Sequence, residues 1–411
     1  MIPSSRLYQI AVNLFHQGGI QAANMLLQLL LIPLVIDRAG IEANGSFLMS
    51  ASIAAFAGTL INYAGNQTLP QEKQTQQSIA QVLLMRSLIF LGFLLIILII
   101  AFFKLPIAPF LLGIIPLLFA EILNPFAYLL GENRIHLFNL YNLVARSLAI
   151  LLVWLFVQHT DQVHWVNAWV GISLIPAYWI LLIRQFKKAE KNQLQFSIRS
   201  IIHLLKLQSP LVAANLIVHL QQSFFLYVLG WMGQSIVFGI YAIADKLVWS
   251  ARTLLIGLSN AIYPVAIAIY KEGQIEWKFF RKKINSILVA ISFVAGILIF
   301  LLSPQLSSLL KVESGEEILT ANLRWIAFVP LFMCLNLLNV TELLLRRDYK
   351  GQFQVHLKLF ILTIFIGLSF LFFLHKPSSA HDGFNWLLPG YLLLMECLTL
   401  WMYEKHRHRI G

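Results

Sequence analysis

The sequence predicts an all-α polytopic membrane protein, with about twelve transmembrane helices in two six-helix bundles around a central cavity. Three observations predict it. First, 59% of the 411 residues are hydrophobic and only 12% are charged, about half the charged share of an ordinary soluble domain, and the mean hydropathy is +0.76. Second, the apolar residues gather into runs of about 17 to 25, each able to cross a bilayer as a helix. Third, ten charged side chains fall inside those runs: Arg86, Glu121, Arg146, Asp245, Lys246, Arg252, Arg324, Glu342, Lys358 and Glu396. An ionised group in hydrocarbon costs several kcal/mol unless it meets a partner or a polar cavity, so the pattern calls for a wet interior.

The first six spans are expected at about 8–36, 44–65, 80–103, 106–130, 136–157 and 164–184, and the second six at about 205–231, 235–263, 284–303, 318–344, 354–374 and 384–403. The sharpest breaks are the polar stretch 66–77, the basic stretch 184–206, the charged stretch 271–283 and the turn 346–351. The basic break divides the chain into an N-terminal six-helix bundle (1–190), a cytoplasmic linker (191–206) and a C-terminal six-helix bundle (207–411). A shift of 194 positions lays Gln21 on Asn215, Gln28 on Gln222, Gly45 on Gly239 and Phe47 on Tyr241. That register is either the trace of duplicated halves, a common transporter plan, or a chance match.

With the N-terminus cytoplasmic, the inner loops and tails hold twenty Lys and Arg. The outer loops hold four (Arg38, Lys104, Lys311, Lys376), and the six within spans complete the 30. This positive-inside asymmetry places both termini in the cytoplasm. The net charge of +12 is therefore a topology signal, and a nucleic-acid partner is not expected. The first apolar run is long and followed at once by another, which reads as a retained helix and not a cleaved signal peptide. Cys334 and Cys397 lie in spans without pair spacing and read as core residues.

Segment one carries Asn13, Gln17, Gln21, Asn24 and Gln28 at steps of four, four, three and four, which keeps them on one helical face. Segment seven repeats the device with Asn215, His219 and Gln222. These amides either bond neighbouring helices or line a cavity that contacts cargo. In segment eight, Asp245 sits about eleven residues into its span, near the midplane. Trp249 and Arg252 share its face. Asp245 reads as a carboxylate able to bind and release a proton, or as the partner of Lys246 or a neighbouring helix. Glu121 and Arg146 fall at similar depths and could pair. Arginine engages two phosphate oxygens at once and stays charged when desolvated, so Arg86, Arg146 and Arg252 are the candidates for an anionic headgroup, with Trp249 for sugar stacking. Arg86 and Arg324 have snorkelling as their alternative. Glu342, Lys358 and Glu396, nearer helix ends, read as snorkelling or paired between helices.

The sequence has no G-x-x-x-x-G-K-[ST] loop, no H-E-x-x-H and no G-x-S-x-G, so neither an enzyme nor a cofactor is expected. His375, His381, His406 and His408 read as solvated loop and tail residues, the alternative being a metal cluster.

The segment "GIYAIADKLVWSARTLLIGLSNAIYPVAI", with Gly239, Tyr241, the Asp245–Lys246 pair and Tyr263-Pro264, followed by the basic stretch 271–283, resembles the bacterial polysaccharide transporter family. These are the O-antigen and lipid-linked oligosaccharide flippases of the multidrug/oligosaccharidyl-lipid/polysaccharide exporter superfamily. "LLLIPLVIDRAGIEANGSF" resembles that family's first hairpin, with Gly45 opening its second helix. The resemblance implies two bundles around a cationic cavity, and exchange between inward-open and outward-open forms. It implies as cargo an undecaprenyl-pyrophosphate-linked oligosaccharide, moved from the cytoplasmic to the periplasmic leaflet of the bacterial inner membrane for O-antigen or similar surface polysaccharide. It also implies proton or sodium coupling, for which Asp245 and Glu121 are the candidates. Membrane lipids surround the chain, and a polysaccharide polymerase and a chain-length regulator are open as partners. Relatives carry more charge in the first two helices, whereas this chain has no Asp, Glu, Lys or Arg between Leu7 and Ile36 or between Gly45 and Gly65. The phosphate role then falls to Arg86, Arg146 and Arg252. The rival readings are a drug or metabolite exporter of the same fold and a membrane-embedded polysaccharide polymerase, against which the short outer loops at 303–318 and 375–384 count.

Overall fold

A computed structural model of the chain describes residues 22–71, 75–132, 134–191, 198–232, 236–312, 315–346, 348–374 and 380–410. Among them, nine helices are long and apolar enough to cross a membrane, and the only β-pairing is a single bridge between Thr75 and Glu190. The chain is a multi-pass membrane protein. It forms two compact units, one of Leu26–His219 and one of Leu220–Gly411 to which Ala22–Met25 also belong.

The first unit contains α1 (Leu31–Asn62), α2 (Gln76–Phe102), the short α3 (Ala108–Gly113), α4 (Ile115–Leu123), α5 (Phe126–Gly131), α6 (Ile135–Phe156), α7 (Val166–Lys188) and the first part of α8 (Ile198–Met232). The loop expected between the first two spans is instead one break inside α1. Gly40 has φ 82° and ψ 172°, a backbone shape that a residue without a Cβ adopts at no steric cost. The start of α2 is fixed by a reciprocal cap in which Thr75 Oγ1 accepts from the Ser78 amide at 3.1 Å and Ser78 Oγ from the Thr75 amide at 3.0 Å.

The span expected as continuous over 106–130 is broken twice. At Ile114 the helix restarts with Pro116 in its first turn. At Asn124, with φ −60° and ψ 110°, it stops because the following Pro125 pushes its predecessor out of the helical region and supplies no N–H. Asn124 Oδ1 then accepts from the Phe126 amide at 3.0 Å and restarts the chain as α5. The core of this unit packs α4 directly on α7, where a Cβ on Gly171 would stand 2.2 Å from the Leu117 amide nitrogen. Gly171→Val should therefore push α4 and α7 apart and cost at least about 1–3 kcal/mol, measured as a lowered unfolding temperature of the purified protein in detergent. An unchanged temperature would mean that the two helices can separate freely.

The second unit contains the remainder of α8, α9 (Ile236–Glu272), α10 (Gln274–Leu309), α11 (Glu316–Ile326), α12 (Val329–Leu345), α13 (Tyr349–Leu374) and α14 (Ala380–Ile410). The charged stretch 271–283, expected as a break, is helical except at Gly273. Its Lys, Arg and Glu are good helix formers, and Trp277, Phe280 and Ile284 recur at helical spacing and are buried. Arg281 binds three groups from two other helices: Glu342 at 3.2 Å and Asn339 at 2.7 Å on α12, and Glu404 at 2.7 Å on α14. Arg346 also holds Glu342, at 2.7 Å. Beside them, His406 meets Asp348 at 2.7 Å, and Asp348 accepts from the Gly351 amide at 2.9 Å. Burial works against the Asp348 charge, but the hydrogen bonds from His406 and Gly351, with the charges of His406 and Arg346, hold its carboxyl below the ordinary value.

Candidate functional site

In the first unit, the break after α4 exposes backbone carbonyls inside the protein, and Arg86 of α2 fills the gap. Its Nη1 donates to the Asn124 carbonyl at 2.8 Å and the Ile122 carbonyl at 3.3 Å, and Nη2 donates to Asn62 Oδ1 at 2.7 Å. The side chain is fully buried. Its expected role as a cargo ligand does not fit this position, because both terminal nitrogens are taken by the protein's own acceptors. Glu121 lies beside it, accepts from Asn124 Nδ2 at 2.9 Å, and sits in the fields of Arg86 and the half-buried Arg146. Gly58 of α1 gives that carboxylate room, since a Cβ there would meet Glu121 Cγ at 3.2 Å.

The amide stripes divide. Asn13, Gln17 and Gln21 lie outside the described residues. Asn24 is buried and Gln28 half-buried. On α8, Asn215 donates to Gln67 Oε1 at 3.2 Å and His219 sits edge-on to Phe56 at 6.3 Å. Both serve contacts within the first unit.

The second unit gathers Gln222, Asp245, Trp249 and Arg252 around one small pocket with a cavity of about 30 Å³. Gln221, Tyr391 and Glu396 add polar groups, and Val248, Val329, Met333, Leu392 and Met395 add apolar wall. The α9 residues reach it by their spacing: positions 245, 249 and 252 fall on one face of a helix. Arg252 Nη2 forms an ion pair with Glu396 Oε1 of α14, and its guanidinium carbon lies 5.9 Å from the Trp249 ring centroid. Asn336 Nδ2 donates to Glu396 Oε2 at 3.2 Å. Asp245 is buried in the fields of Lys246 and Arg252. Gln222 Oε1 is buried with no protein partner among the described residues. The arrangement can hold an anionic group at Arg252, stack a ring on Trp249, and offer acceptors at Gln222 and Asp245.

Two charges counted with this set stand apart. Arg324 is exposed, donating to Ser303 Oγ at 3.2 Å, and Lys358 is exposed on α13. Sequence reasoning had marked Glu396 as an intramembrane charge without assigning it to the pocket, and nothing in the sequence distinguishes Tyr391 from the other aromatics.

No protein-family model matches this chain, and no curated protein matches it. Solved structures do. A mutant of the Vibrio cholerae MATE transporter VcmN aligns over 96% of this chain and 96% of its own, at 13% identity and a TM-score of 0.64. The outward-facing conformation of a multidrug resistance MATE family transporter of the MOP superfamily aligns over 97% and 95%, at 14% identity and a TM-score of 0.68. This chain has the MATE transporter fold. A MOP superfamily transporter from Pyrococcus furiosus, whose binding pocket is described as of reverse polarity and suggestive of a different function, aligns over 97% and 95%, at 14% identity and a TM-score of 0.66. The MATE transporter fold comprises twelve transmembrane helices in two bundles. At such identity the likeness is one of backbone, so cargo has to be argued from this chain's own side chains.

Proposed function

We propose that the protein is an alternating-access transporter and that its cargo is a lipid-linked oligosaccharide. An undecaprenyl-pyrophosphate-linked repeat unit would pass from the cytoplasmic to the periplasmic leaflet of the bacterial inner membrane. The observation that carries this reading is the pocket in which Arg252, Trp249 and Gln222 stand together. Arg252 offers a planar fork of donors to phosphate oxygens, Trp249 an aromatic face to a sugar, and Gln222 an acceptor to its hydroxyls. The pocket's cavity is about 30 Å³, room for a water or two, so a sugar headgroup would enter only as the pocket widens in the transport cycle, while the polyprenyl tail stays in lipid. Asp245 in the pocket and Glu121 in the first unit are the carboxylates available for ion coupling. A polysaccharide polymerase and a chain-length regulator are the partners such a role would bring.

A drug or metabolite exporter is the second reading, favoured by the likeness to a multidrug MATE structure and by the apolar wall of the pocket. Proteoliposomes separate the two. Exchange of a fluorescent polyprenyl-pyrophosphate glycolipid between leaflets, without efflux of a cationic aromatic dye, is the expected result. Dye efflux with no glycolipid exchange would establish the exporter instead.

A further inference from the structure

The cation expected to receive cargo is already occupied. Arg252 is paired with Glu396, whose second carboxylate oxygen is held by Asn336 at 3.2 Å and whose backbone carbonyl accepts from the same amide at 3.3 Å. Both charged side chains keep some exposure, 19% for Arg252 and 13% for Glu396, so the pair stands at the pocket wall where an incoming group can reach it. Glu396 engages Arg252 through one oxygen, at Nη2, and a phosphate oxygen seeks the same kind of donor. The two therefore compete for that prong of the guanidinium.

An unpaired guanidinium at a largely buried position would be costly, and Glu396 meets that need from within the protein. Asp245 also lies in the field of Arg252, but Glu396 is the carboxylate in direct contact. We propose that Glu396 is an internal stand-in for the anionic group of the cargo: it holds Arg252 while the pocket is empty, and cargo binds by taking its place. Asn336 donates to the stand-in from the side away from Arg252's ion pair, through the oxygen that the arginine does not use, and it gives the displaced carboxylate a partner. Return of Glu396 to Arg252 then helps release cargo. Tight binding is sacrificed for turnover, because every binding event must break an ion pair that every release restores.

The inference rests on the anionic-cargo reading, and one binding experiment tests both separately. Purified wild-type protein, E396Q and R252Q, each confirmed monodisperse, are titrated with inorganic pyrophosphate by calorimetry. E396Q should bind about tenfold more tightly than wild type, since the competing charge is gone, and R252Q should lose binding. E396D keeps the charge on a shorter arm; it should gain affinity by an intermediate amount and serves if E396Q is not recovered folded. Should wild type bind through Arg252 while E396Q and E396D bind no better, Glu396 is not a competitor, although the anionic-cargo reading survives. Absence of pyrophosphate binding in every folded protein, E396Q included, would overturn both.

Discussion

Arg86→Ala is expected to unfold much of the Leu26–His219 unit, with little protein recovered from the membrane and a large fall in unfolding temperature. Three acceptors lose their donor: the carbonyls of Ile122 and Asn124 and the amide oxygen of Asn62. A buried polar group left unsatisfied costs about 1–3 kcal/mol, so the combined loss is on the order of 5 kcal/mol, a large part of the stability of an ordinary domain. Lysine should rescue only in part, because a single ammonium cannot reach acceptors that the guanidinium bridges from two nitrogens. Thermal unfolding in detergent is the check. If Arg86→Ala folds with unchanged stability and loses only pyrophosphate or glycolipid binding, Arg86 is a cargo ligand after all, and the account of the α4 break is wrong.

Arg252→Glu should abolish transport. The substitution removes the one arginine of the pocket and sets a third carboxylate beside Glu396 and Asp245, so an anionic headgroup meets repulsion where it had a fork of donors. Removing one partner of a buried ion pair typically costs about 3–5 kcal/mol; the partial exposure of this pair reduces that cost, so the variant is expected to insert and fold. Arg252→Lys separates charge from geometry: it keeps the cation and loses the two-pronged contact, and it should retain a fraction of the flux. Normal transport by an Arg252→Glu protein present at wild-type level would remove this residue from the mechanism.

The transmembrane plan was legible because hydrophobic run length is a direct readout of bilayer thickness. Interruptions were less so. Asn124-Pro125 carried a recognisable break signal inside a run whose apolar length suggested continuity, and Gly40 compressed a loop into one residue. The stretch 271–283 reads from its charges as a break between apolar runs and, in its resemblance, as an amphipathic basic stretch; the structure shows the amphipathic helix, with Trp277, Phe280 and Ile284 buried on one face and the helix running on past Gly273.

At the site, what depends on one helix could be read and what depends on several could not. The spacing of Asp245, Trp249 and Arg252 puts them on one face, and all three line one pocket. Arg86 reads in sequence as an anion ligand alongside Arg252, with snorkelling as its alternative. Only the meeting of α1, α2 and the α4 break shows that its two terminal nitrogens bond acceptors of the fold. Glu396 lies 144 positions from Arg252, and no local pattern joins them.

The most direct test of the central claim, that this pocket passes an anionic lipid-linked sugar across the membrane, is leaflet-resolved measurement of lipid-linked repeat units in a strain lacking the gene. With no gene, or with R252E in its place, the account predicts repeat units accumulating on the cytoplasmic face and surface polymer disappearing, with wild type restoring both. Repeat units reaching the periplasmic face at normal rate in the deletion strain would contradict it.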